Sequence, residues 1–148
     1  MHPVVLAGVA VKGFAADRRG VSAIEFAILS PIFFGLLFGI VTFGIHFGAA
    51  NSVQQLCGDV ARAAVAGVNE KERVAIATEF VEANVEKYML LKREFITVDV
   101  ADSPSEPQQF DVSLEYDASH LPTIVWTQIF DRPPPVIRSV ATVRHGGF

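Results

Sequence analysis

The chain has 148 residues, 51% of them hydrophobic, with 12 Lys and Arg against 16 Asp and Glu for a formal net charge of −4. That length holds about one compact domain beside one membrane segment, and it excludes a large multidomain enzyme. The acidic balance excludes the broad basic surface that neutralises phosphates, so no nucleic-acid partner is expected.

In chain order, residues 1–20 read as a short basic leader carrying Lys12, Arg18 and Arg19, with an apolar patch from Val4 to Val11 that is too brief to cross a bilayer. From Phe26 to Ala50 the chain reads FAILSPIFFGLLFGIVTFGIHFGAA, with no formal charge while His46 is neutral. This run exceeds the roughly 20 apolar residues that a spanning helix needs. It is also too long and too rich in phenylalanine for the apolar region of a cleaved secretory signal, about 7–15 residues.

Lys12, Arg18 and Arg19 precede the span, and the first positive side chain after it is Arg62. The N-terminus is therefore expected to stay cytoplasmic, with everything after about Ala50 exported. Within the span, Gly35 and Gly39 form one small-xxx-small pair, and Gly44 and Gly48 form another. They read either as a surface for close helix packing or as the ordinary abundance of glycine in membrane helices. Pro31 removes a backbone donor and is expected to kink or loosen the helix, and His46 reads as an interfacial polar residue rather than a ligand.

A lone carboxylate, Glu25, stands at the cytoplasmic edge of the span. Placing an ionised group in or beside hydrocarbon is costly, so such a group usually has a partner. Cutting the bond after Gly20 would supply one, because Val21 would then carry an α-amino group with a pKa of about 7.7–8. Without a cut, Glu25 reads as a helix-capping carboxylate at headgroup level.

The string Arg19-Gly20-Val21-Ser22-Ala23-Ile24-Glu25-Phe26-Ala27 is followed by Ser30-Pro31, Phe43-Gly44, Ala49-Ala50-Asn51 and Asp59-Val60-Ala61-Arg62-Ala63-Ala64. Together these residues resemble the TadE-like family of pseudopilins over roughly Arg18 to Ala66. The resemblance implies a non-catalytic minor subunit, of TadE or TadF type, for assembly of the tight-adherence Flp (type IVc) pilus. It implies cleavage by a membrane prepilin peptidase between Gly20 and Val21, with Arg18, Arg19, Glu25 and Phe26 as the processing and assembly motif. The implied partners are that peptidase, other pilins and pseudopilins, the pilus secretion machinery and the lipid bilayer. The implied location is the bacterial inner membrane, single-pass with a periplasmic C-terminal domain, or a cell-surface pilus. Major Flp pilins share the cleavage motif, usually with tyrosine where Phe26 stands, but they are much shorter. The competing reading is an uncleaved single-span anchor that scaffolds an envelope or secretion complex.

Beyond the span, Val53, Leu56, Val60 and Ala64 recur at helical spacing, so the membrane helix is expected to continue outward to about Ala66. Gly67-Val68-Asn69 breaks it. Residues 70–91 predict a second amphipathic helix with Val74, Ala77, Phe80, Val81, Val85, Tyr88 and Met89 on its buried side. The period then changes to two. Phe95 to Val100 and Phe110 to Tyr116 predict a hairpin across the Ser103–Pro107 loop, and Val136 to Val143 predicts a last strand.

The expected fold is α+β: a long N-terminal transmembrane helix, a second helix and a small antiparallel sheet of about three strands. The expected divisions are a leader at 1–20, a membrane and stalk helix at 21–66, and an exported domain at 67–148. The apolar segment Leu121 to Phe130 reads as either a partner surface or a lid on the core, and the triple proline 133–135 reads as a stiff extended connection.

Cys57 is the only cysteine, which excludes an intrachain disulfide and a thiolate zinc cluster. It reads as a small apolar helix residue, with an intermolecular bridge as the other reading. His120 and His145 lack metal-ligand spacing, and Ser113, Ser119 and Ser139 sit in no Gly-x-Ser-x-Gly turn. No cofactor, metal or small-molecule substrate is expected.

Overall fold

The structure is a computed structural model and describes residues 18–103, 106, 108–122 and 136–144. It divides after Ile40 into two units. Helix α1, Arg18–Ala64, is 47 residues long and continuous through Pro31.

In the first unit α1 is the only described element, and its apolar side chains are exposed all round. A helix that is hydrophobic on every side belongs in lipid or inside a larger apolar assembly. Residues 20–64 are the one described helix long and apolar enough to cross a membrane, and none of its most apolar stretch is buried among the described residues.

The second unit begins within α1. Ala49, Val53, Leu56, Cys57, Val60, Ala61 and Ala64 are buried there, so the helix changes from an all-round apolar surface to a single apolar stripe. α1 closes with Gly67 N–H donating to Ala64 O at 3.0 Å. Gly67 is required by a close approach: a Cβ there would lie 2.7 Å from the backbone nitrogen of Arg73.

Asn69 then caps helix α2, Glu70–Asn84, its side chain accepting from Glu72 N–H at 2.9 Å. The Glu72 carboxylate reaches back to Val68 N–H at 3.0 Å, so two otherwise orphaned donors are satisfied. Arg73, Ala77, Val81 and Val85 form the buried side, each four residues after the last.

The helix expected over residues 70–91 is shorter than its pattern. It passes into a 3-10 turn at Val85–Lys87 and stops, with the Asn84 amide bonded back to Phe80 O at 2.9 Å. Val74 and Met89, expected in the buried side, are exposed instead. Val74 flanks the stripe that Arg73 occupies, and Met89 follows the end of the helix.

Strands β1 (Ile96–Asp102), β2 (Gln109–Asp117) and β3 (Val136–Arg144) form one antiparallel sheet with β2 in the centre. Phe95, expected to open the first strand, lies in the 3-10 turn Arg93–Phe95. Phe110, Val112, Leu114 and Tyr116 of β2 all face the core, and Asp111, Ser113 and Glu115 alternate with them on the other face. The register sets Ile96 and Ile137 on either side of Tyr116, and Val100 and Ala141 on either side of Val112. One sheet face thus covers the helices. The other is polar, with a Thr142 hydroxyl to Asp111 carboxylate bond at 2.6 Å and an Arg138–Glu115 ion pair at 3.4 Å.

The architecture is the expected α+β arrangement of a long apolar helix, a second helix and a three-stranded antiparallel sheet. Residues 123–130 of the Leu121 to Phe130 segment, the three prolines and His145 lie outside the described residues.

Candidate functional site

The N-terminal turns of α1 hold the residues that sequence reasoning singled out. Arg18 and Arg19 are the first two residues of the helix, so the Gly20–Val21 bond lies in its first turn. Gly20 is exposed, and among the described residues a Cβ placed on it would meet nothing within 4 Å. Glu25 and Phe26 are both exposed, and Glu25 makes no ion pair among the described residues.

The glycine pairs differ from each other. Gly35 and Gly44 have open space where a Cβ would stand, whereas a Cβ on Gly48 would touch Leu90 Cδ1 at 3.5 Å. Gly39, between Gly35 and Gly44, is half-buried. A Cβ on Gly48 would thus make an ordinary contact with Leu90, whereas Gly35 and Gly44 leave the helix backbone open among the described residues.

Farther along α1, Asp59 is held on two sides. The Tyr88 hydroxyl donates to Asp59 Oδ2 at 2.6 Å, and Arg62 pairs with Oδ1. The Tyr88 bond first, and Arg62 after it, hold the Asp59 carboxyl below the usual range. Burial, together with the bond to the carboxylate, pushes the Tyr88 phenol up to about 12. Cys57, two residues before Asp59 in α1, is fully buried and donates its thiol toward Val112 O at 3.4 Å. Burial raises its pKa, which makes it a poor nucleophile and a poor partner for an intermolecular disulfide.

Two further clusters escaped the sequence reading. Arg73 is buried beneath the sheet, paired with Asp102 at the end of β1 and lying 5.0 Å over the Phe110 ring. Tyr116 donates to Leu90 O at 2.6 Å and lies 2.9 Å from His120 Nε2, while the His120 ring stacks on Phe95 at 4.0 Å. These are long-range pairings of single polar residues, which carry no periodic signal in one sequence. Among the described residues, no group of three His, Cys, Asp or Glu side chains is placed to hold a metal ion.

An exposed apolar helix that continues into a small α+β unit gives the described residues one candidate membrane span. Residues 20–62 match the family model described as TadE-like protein, and that segment is TadE-like. The family implies a pseudopilin associated with the Tad pilus and its machinery. The match lies wholly within α1 and includes Asp59 and Arg62, so Tyr88 reaches into it from outside. No curated protein and no solved structure matches the chain.

Proposed function

We propose that the chain is a non-catalytic minor pseudopilin for assembly of the tight-adherence Flp (type IVc) pilus, made as a precursor and cut after Gly20. The observation that carries this reading is the TadE-like match, which begins at Gly20 and follows the exposed apolar helix.

Cleavage would leave Val21 with a new ammonium about one helical turn from Glu25, close enough to neutralise it on the same helix or on a neighbouring one. The mature chain would then consist of a transmembrane and stalk helix at 21–66, anchored in the inner membrane, and a periplasmic domain at 67–148. Its remaining partners would be other pilins and pseudopilins and the secretion machinery.

An uncleaved anchor for an envelope complex is the second reading. It is favoured by the helical state of residues 18–21, because a protease takes its substrate extended and those residues would have to unwind. Complementation of a deletion strain separates the two. Gly20→Arg is expected to leave the precursor uncut and abolish piliation, and Glu25→Ala to be cut but poorly piliated. Full piliation with Glu25→Ala would remove the charge-pairing step, and full piliation with Gly20→Arg would leave the anchor.

A further inference from the structure

The turn after α2 has a combination of features that the core does not require. Leu90 has φ 68° and is the one described non-glycine residue with positive φ, a conformation that a leucine adopts only when its surroundings enforce it. The enforcing contacts are on both sides. Tyr88 is tied to Asp59 of α1, the Leu90 carbonyl accepts from Tyr116 at 2.6 Å, and Leu91 is buried with its N–H on Tyr88 O. Yet this pinned turn exposes Met89 at 74% and Leu90 at 37%. A rigid turn that presents two large apolar side chains is pre-organised for an apolar partner.

The contact with Gly48 says which partner. If the span takes about 20 residues from Phe26, it ends near Ile45. Gly48 then stands three residues farther, about 4.5 Å along the helix axis. The headgroup layer on each side of a bilayer is about 5–7 Å thick, so Gly48 and the Leu90 side chain beside it fall within that layer. Ile45 and Ala49 already belong to the core of the second unit, so this rim of the folded domain begins where the hydrocarbon ends. Exposed Phe47, next to Gly48, adds an aromatic side chain at the same level.

The flanks suit a wet boundary. Lys87 and Lys92 bracket the turn and are exposed, with aliphatic stems that cover apolar surface while their heads stay hydrated. Exposed Glu86 and Glu94 offset them, and Arg93 is engaged with Ile96 O and Glu82. The attraction is therefore apolar rather than electrostatic.

We propose that the tip of the turn, the exposed Met89 and Leu90 side chains, rests in the outer headgroup layer of the bilayer that α1 crosses, while Tyr88 reaches away from the membrane to Asp59. The proposal rests on the reading of α1 as a span. It makes the turn a second, peripheral attachment that fixes the domain against the membrane surface.

The test uses the full-length protein in phosphatidylcholine vesicles, with an environment-sensitive fluorophore on a cysteine at Met89→Cys, Phe38→Cys or Val68→Cys. The parent chain, whose Cys57 is buried, serves as the labelling blank. Val68 is a fair control because it is 86% exposed and follows Ala64, which lies 16 residues beyond Gly48. That separation is about 24 Å of helix. The expected result is a blue shift at Met89 with loss of most emission to headgroup nitroxide lipid. Phe38 should be quenched most by acyl-chain nitroxide, and Val68 by neither. Quenching at Met89 that persists in high salt supports the apolar attachment. Quenching at Phe38 but not at Met89 overturns the proposal and leaves the span intact, whereas no quenching at Phe38 overturns the span reading itself. A shielded Met89 label that ignores nitroxide lipid and reddens on dilution of protein into excess lipid places a second copy of the chain over the turn, which also overturns the proposal.

Discussion

Asp59 and Tyr88 couple the fold of the second unit to pH in two directions. The carboxyl of Asp59 is held low, so its contribution is present above the ordinary carboxylate pKa of about 3.9 and is lost as pH falls through the depressed folded value. Tyr88 is raised to about 12. Its contribution is complete below the ordinary phenol pKa of about 10 and is lost as pH climbs to the folded value. Because the pair is partly exposed, the bond contributes about 1 kcal/mol rather than the upper range for charged hydrogen bonds. Tyr88→Phe in the full chain in detergent micelles is expected to lower unfolding stability near neutral pH by about that amount. The deficit should shrink toward both pH extremes, and chemical denaturation across pH measures it. A deficit constant with pH would mean that Tyr88 acts through packing alone.

Among elements, the α1–α2 turn and the first turn of α2 depend on two residues that touch each other. Gly67→Ala would drive a Cβ to 2.7 Å from both the Cγ and the backbone nitrogen of Arg73. The side chain can yield but the backbone cannot, so a cost of about 2 kcal/mol is expected from urea unfolding in micelles. Arg73 is a buried cation whose partner, Asp102, is half-exposed, and its Nε has no acceptor among the described residues. Arg73→Ala removes the pair and the contact over Phe110 and is expected to cost about 2 kcal/mol, whereas Arg73→Met keeps the volume and is expected to cost less than half of that. Equal losses for the two variants would show that charge, not packing, dominates.

Both residues mark where pattern reading stops. The alternation Phe110, Val112, Leu114, Tyr116 was legible because one sheet face is buried throughout, and the α1 stripe from Val53 to Ala64 was legible for the same reason. The end of α2 was not legible. Its apolar spacing continues past Asn84, but Tyr88 and Leu90 are drawn into long-range hydrogen bonds that no local pattern announces. The buried Arg73 was hidden because a charged residue at a core position reads as solvent-facing.

At the scale of the whole molecule, the apolar run and its length were open to direct reading, since charge and hydropathy act through composition. Glu25 stood out for the same reason, as a carboxylate against hydrocarbon, and the string around it carried the family resemblance that the match over residues 20–62 bears out. The use of the Gly20 bond is a different kind of property. In the proposed reading it depends on a peptidase that acts at Gly20, and the exposure of that residue is the same with or without such a reader.

The most direct measurement is the intact mass and N-terminal sequence of the chain, purified from membranes of cells that express it with the prepilin peptidase of its pilus system. A mature chain that begins at Val21, and a full-length precursor when the peptidase is omitted, is the predicted result. A chain that keeps Met1 to Gly20 in the presence of active peptidase would contradict it.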